Sequence, residues 1–232
     1  MKNLVLALIL YSIVSPALGL AAAEPAVIYW DSAAGKTLRT RIKADADYWQ
    51  LSPTFAVQMT QSYCSVASAV TVLNAMPINK PVDPTYAPYA YFTQSNFFTA
   101  EVIKVISPQT VLAAGMTREQ MAETLTRHGV NATTIAGDNL DEGALRSLLQ
   151  QALVDDGQFV LANYLRANLG QVGGGHWSVL AAFDTQSDRV LILDVAKYKY
   201  SPAWVDIRTM QQAIATIDTT SNKARGLVIV SK

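Results

Sequence analysis

Cysteine is almost absent from this chain. In 232 residues there is one, Cys64, beside only two histidines, His128 and His176. A single thiol cannot pair within its own chain, which excludes a disulfide-stapled scaffold. One cysteine and two distant histidines also make no metal-ligand cluster. Charge is scarce too: charged residues are 16% of the chain, against roughly 25% in soluble domains. The 18 Lys and Arg cancel the 18 Asp and Glu. With no basic cluster, nucleic acid and anionic membrane surfaces are not expected partners. No repeat, no low-complexity tract and no apolar run of the about 20 residues that span a membrane is present. What the chain does have is hydrophobic bulk, 50% of its residues, enough for one domain with a sizeable core.

Part of that bulk sits at the start. Met1-Lys2-Asn3 is a short basic segment, Leu4 to Val14 an apolar run, and Pro16 to Ala23 is rich in small residues ending in Ala21-Ala22-Ala23. This order predicts a signal peptide over 1–23, cleaved between Gly19 and Ala23. The mature domain is then 24–232, secreted or periplasmic and free of the membrane after cleavage; a first core helix is the competing reading. Outside the cytoplasm an unpaired cysteine is either an inert buried thiol or a free reactive one.

Cys64 lies where a polar loop, Gln58 to Tyr63, meets an apolar helical pattern at Val66, Ala69, Val70 and Leu73. A thiol at a helix N-terminus sits among unpaired N–H groups that favour its anion. Four prolines between Asn74 and Pro88 predict an ordered loop. Tyr86 to Phe98 is aromatic-rich, read either as packing between lobes or as a wall of a substrate cleft. Thr117-Arg118-Glu119-Gln120 is a capping box for a helix running to His128, and Asn139 to Glu142 repeats that signature before a helix over 144–154. His128 then reads as structural. Residues 159–165, 176–183 and 189–195 read as strands, the last two as a hairpin, with Val27 to Trp30 a short strand, 206–217 a helix and 226–230 a closing strand. Helices first and an antiparallel sheet afterwards is an α+β pattern with a cleft between two lobes.

A cysteine nucleophile needs a base and a group that orients the base. His176 follows Gly173-Gly174-Gly175, where the absence of side chains allows close approach of a substrate backbone, Gly175 above all. Asp194 ends the next strand, so an antiparallel pair can bring it beside His176 and fix the imidazole tautomer; a strand-end turn residue is its plainer reading. Gln58, six residues before Cys64, is a candidate oxyanion donor with the Cys64 main-chain N–H.

Gln58-x5-Cys64 with Val66-Ala67-Ser68 and Val72-Leu73-Asn74 resembles the nucleophile helix of the phytochelatin synthase family. Asn163-Tyr164-x-Arg166, Gln171-x-Gly173-x-Gly175-His176-x-Ser178 and Leu191 to Val205 resemble its histidine and aspartate blocks. The likeness covers most of 45–217. It implies a papain-like fold with a helical first lobe and an antiparallel β second lobe. It further implies Cys64 as nucleophile, His176 as acid/base, Asp194 as orienter and Gln58 as oxyanion donor. The implied substrate is glutathione. Glycine would leave and a γ-glutamylcysteinyl thioester remain, resolved by water or by a second glutathione. Arg166 is a candidate clamp for a glutathione carboxylate, with a surface salt bridge as its plainer role, and Lys197 and Lys199 are weaker candidates. No tightly bound cofactor is implied; Cd2+ or Zn2+ would enter as a glutathione thiolate complex.

The chain departs from the family at Ser65, where glycine is usual, at Val179, where proline commonly stands, and at Lys197, where plant members have arginine, which lysine does not reproduce. The cysteine-rich region of plant members has no counterpart in these residues, and the short form resembles bacterial members that lean towards hydrolysis. Oligomeric state is open, a homodimer included. Two other readings stand beside this one: a papain-like peptidase trimming peptides, and a non-catalytic binder of thiol–metal complexes.

Overall fold

The computed structural model describes residues 24–154 and 157–232; the signal-peptide reading of 1–23 lies outside them. Strand β1 (Val27–Tyr29) and helices α1 (Ala33–Arg39) and α2 (Tyr48–Leu51) lead to α3 (Cys64–Ala75), followed by α4 (Ala100–Ile103), α5 (Pro108–Ala114) and α6 (Arg118–Arg127). Then come β2 (Asn131–Ala136), α7 (Glu142–Ala152), β3 (Gln158–Leu165), β4 (Gly175–Asp184), β5 (Arg189–Leu193) and β6 (Ala203–Asp206). Helix α8 (Ile207–Ile214), the short pair β7 (Ile217–Asp218) and β8 (Lys223–Ala224), and β9 (Gly226–Ser231) complete the described chain. The fold is α+β. Its main sheet has the order β1-β6-β5-β4-β3-β9-β2, antiparallel throughout.

Alternation along the central strands buries both faces of the sheet. Phe159, Leu161, Trp177 and Val179 join Val66, Val70 and Leu73 of α3 in one core. Val160, Ala162, Tyr164 and Leu180 join Leu145 and Leu149 of α7 and Met210 and Ile214 of α8 in the other. Helix α3 is buried all round from Cys64 to Asn74, wider than the stripe its apolar spacing predicts. Two of its polar residues are satisfied there: Thr71 Oγ1 donates to the Ala67 carbonyl, and the Asn74 amide exchanges two hydrogen bonds with the Phe92 main chain. With no side-chain cap at Tyr63, packing holds α3 in place.

The capping box at Thr117 and Gln120 forms as expected. The second helix is capped by Asp141 rather than Asn139, and begins at Glu142. Strands β2 and β6 are not apparent from the sequence. β2 is a polar, half-exposed edge strand, made by pairing with β9, and β6 is only four residues long.

One irregularity sets the site. At the far end of the hairpin Asp184 pairs with Arg189 and Ala182 with Leu191, but beyond Ala181 the register shifts, so that Leu180 pairs with Ile192 and Val179 with Leu193. Continuing that register puts Asp194 opposite Ser178, on the face shared by His176. Without the extra residue Asp194 would lie opposite Val179 and leave from the Trp177 face, because a one-residue slip reverses every side chain. The contact expected between His176 and Asp194 is therefore diagonal, and the bulge makes it possible.

Candidate active site

Cys64 begins α3, its thiol buried and unpaired with any other sulfur. Burial alone would push the thiol up. The charge and hydrogen bond of His176, with the main-chain N–H groups of Trp177 and Ser65, outweigh it and hold the Cys64 pKa below the ordinary range. The imidazole moves the other way: burial lowers it, while Cys64 and Asp194 more than compensate and raise it. Together these shifts favour a thiolate–imidazolium pair.

His176 Nε2 lies 2.9 Å from Asp194 Oδ1. That hydrogen bond leaves Nδ1 for the sulfur. Asp194 Oδ1 also accepts from the Ala196 main-chain N–H at 2.9 Å. Burial would raise the Asp194 carboxyl, but hydrogen bonds from His176 and Arg166 bring it down to about 2. Tyr164 stands opposite His176 in the sheet, its ring edge-on at 5.6 Å, and walls the imidazole from the α8 side.

Arg166 does not have the free fork expected of a substrate clamp. It is 3% exposed, and Nη1 and Nη2 donate to the two Asp194 oxygens at 2.8 and 2.9 Å. Gln58 is tied to the same region, its main-chain N–H donating to the Val195 carbonyl. Both hydrogens of its side-chain amide have partners, the Thr60 carbonyl at 2.9 Å and the Tyr198 hydroxyl at 2.8 Å. To donate to an oxyanion it must release one, and the exposed Tyr198 is the displaceable partner.

Two hollows flank the Cys64–His176 pair. The first, about 250 Å³, is lined by Gln58, Arg166, Gly173 to His176, Tyr198 and Lys199. The second, about 190 Å³, is lined by Cys64, Met116, Asn163, Trp177, Asp218 and Arg225, with Gly175 common to both. Gly175, expected to make room for substrate, makes room for a side chain: a Cβ there would lie 2.1 Å from Arg225 Nη1. Lys199 reaches the first hollow, but its Nζ donates to the Val172 carbonyl. Lys197 lines neither; its ammonium lies on the Phe55 ring and donates to the Phe55 carbonyl. Tyr86, Tyr89 and Tyr91 line a separate hollow, Phe92 and Phe97 are core, and Phe98 packs on Tyr63, so packing is the main role of this stretch.

Sequence reasoning missed Arg225 and Asp218. Arg225 is 7% exposed. It donates to Asn163 Oδ1 at 2.8 Å and lies 3.8 Å from Asp218, and its Nε is buried without a partner. Burial lowers its pKa against the pull of Asp218 and Cys64. The available signal was a lone arginine before Gly226 in an otherwise apolar closing segment. Among the described residues no three His, Cys, Asp or Glu side chains gather as a metal-ligand set.

The family model described as phytochelatin synthase matches residues 21–227. Curated relatives include glutathione gamma-glutamylcysteinyltransferase 3 of Lotus japonicus, 28% identical over 80% of this chain and 37% of that protein. Glutathione gamma-glutamylcysteinyltransferase 1 of Arabidopsis thaliana is 26% identical over 90% of this chain and 42% of its own. The Schizosaccharomyces pombe glutathione gamma-glutamylcysteinyltransferase is 24% identical over 87% and 48%. The chain spans less than half the length of these relatives. With the match running across nearly all the described residues, the chain belongs to the phytochelatin synthase family.

Proposed function

We propose that this protein is a papain-like thiol enzyme that removes glycine from glutathione through a thioester on Cys64. The observation that carries this reading is the second hollow, where a buried cation, Arg225, and a carboxylate, Asp218, lie beside the lowered thiol. A γ-linked glutamate differs from an ordinary peptide residue in leaving both its α-amino and α-carboxylate groups free. Recognising that zwitterion takes one cation and one anion, and charge-assisted hydrogen bonds make the recognition strong.

In this reading His176 Nδ1 holds the proton taken from Cys64, and the thiolate attacks the Cys–Gly carbonyl carbon. The oxyanion takes hydrogen bonds from the Gln58 amide, once Tyr198 yields it, and from the Cys64 main-chain N–H. The imidazolium protonates the departing glycine nitrogen while Asp194 holds the ring. Water, activated by the same imidazole, then releases γ-glutamylcysteine, or the amine of a second glutathione takes the acyl group to give phytochelatin. Hydrolysis is the leading outcome. Metal ions belong here as thiolate complexes of the substrate. We propose export through residues 1–23, with a secreted or periplasmic mature enzyme.

Incubating the mature protein with glutathione tests the reading. Free glycine is expected from wild type and none from Cys64→Ala. No release from wild type, or equal release from the variant, overturns it. Preferential cleavage of α-peptides would favour a trimming peptidase, and Cys64 inert to a mild alkylating agent near neutral pH a non-catalytic binder.

A further inference from the structure

Arg166 has a geometry that the reaction just described does not use. Its guanidinium is buried and held on several sides. Two N–H groups make the bidentate contact with Asp194, and Nη1 also donates to Gln171 Oε1 at 2.5 Å. The ring of Tyr200 lies beneath it at 5.0 Å and is itself stacked on Tyr29. Gln171 is anchored in turn by Tyr29, and the Tyr200 hydroxyl accepts from the Val172 N–H. Arg166 borders the first hollow, but the terminal Nη1–Nη2 edge that a carboxylate would take end-on is already held by Asp194.

We propose that Arg166 is a positioning residue that acts through Asp194 and not on the substrate, a role that rests on the reading of Cys64, His176 and Asp194 above. The fork fixes the carboxylate plane, and that plane fixes where His176 Nδ1 points. Arg166 also completes a charge count. Thiolate, imidazolium, Asp194 carboxylate and Arg166 guanidinium sum to zero, whereas without Arg166 the buried cluster carries one uncompensated negative charge. The groups facing Arg166 are Asp194, with His176 and Cys64 behind it, the Tyr164 and Tyr200 phenols, and Lys199, whose Nζ approaches across Gly173. Lys199 is the only other cation among these apart from His176, and it is committed to the Val172 carbonyl. A lysine at 166 would keep the charge and lose the fork.

The test measures the rate of Cys64 alkylation by iodoacetamide against pH, and separately kcat and KM for glutathione, in wild type, Arg166→Gln and Arg166→Lys. In Arg166→Gln the thiolate and imidazolium both lose a neighbouring cation, so the alkylation midpoint and the upper limb of the rate profile are expected to move to higher pH. kcat should fall about 100-fold with KM within about threefold. Arg166→Lys should keep the wild-type alkylation midpoint and still lose about tenfold in kcat, which carries the test even if the glutamine variant fails to fold. A large rise in KM with kcat and both pH profiles unchanged would make Arg166 a substrate clamp and overturn the proposal, as would wild-type kcat in Arg166→Lys. Failure of wild type to process glutathione would sink the functional reading alone, because the alkylation profile needs no substrate.

Discussion

At the scale of single residues, substrate recognition falls to the arginine with the freer hydrogen-bonding groups. Arg225 has a buried, unpartnered Nε, one hydrogen bond to Asn163 and only a 3.8 Å approach to Asp218, while Arg166 has its Nη1–Nη2 edge committed to Asp194. Arg225→Met is therefore expected to raise KM for glutathione about 10- to 100-fold, the worth of a charge-assisted hydrogen bond of about 1.5–3 kcal/mol, where Arg166→Lys leaves KM within about threefold. Steady-state kinetics on the two variants separates the arginines. Gln58 makes a second prediction. Its hydrogen bond to Tyr198 must break for the oxyanion to be bound, so Tyr198→Phe should raise kcat/KM about threefold, in keeping with a net hydrogen bond of roughly 0.5–1.5 kcal/mol. A fall of more than tenfold would instead make the phenol part of the oxyanion site.

Among the elements, α6 carries a titration far from the chemistry. Its C-cap His128 is packed edge-on against Phe92 and beside Phe97. Burial lowers its pKa from 6.5 to about 4, despite a hydrogen bond to the Phe97 main chain. Below pH 6.5 the unfolded chain takes up a proton that the folded chain refuses, so stability falls as pH drops from 6.5 towards 4 and is unaffected by this group below that. The loss is about 2.5 kcal/mol at pH 4.5. Urea midpoints at pH 7 and 4.5 should show it in wild type and only a small remainder in His128→Leu. Asp194 acts in a lower window, its stabilisation being present above about pH 3.9 and lost towards 2. At the start of β4, Gly175→Ala should fold normally, since its Cβ meets the far end of a side chain, but should displace the Arg225 guanidinium and raise KM.

Across the whole molecule, what was legible in the sequence was local. The helix start at Cys64, the capping box at Thr117 and the strand runs around His176 and Asp194 each announce themselves within a dozen residues. Arg225 did not, because its meaning lies in a contact with Asn163 across the sheet and in the missing Cβ of Gly175. Nor did β2, whose polar residues carry no apolar alternation and become a strand only beside β9. The bulge at Ala181 was equally hidden, although it decides which face Asp194 uses. Arg166 was visible as a residue but not as a partner of Asp194, since its fork fits a substrate carboxylate as well as a protein one. The claim that unites these parts is a γ-glutamylcysteinyl thioester on Cys64. Mass spectrometry of protein acid-quenched during turnover of glutathione tests it most directly. The account predicts one γ-glutamylcysteinyl group on the peptide carrying Cys64, labile to hydroxylamine and absent in Cys64→Ala; glycine release with no such adduct in the burst phase, or release that survives the substitution, would contradict it.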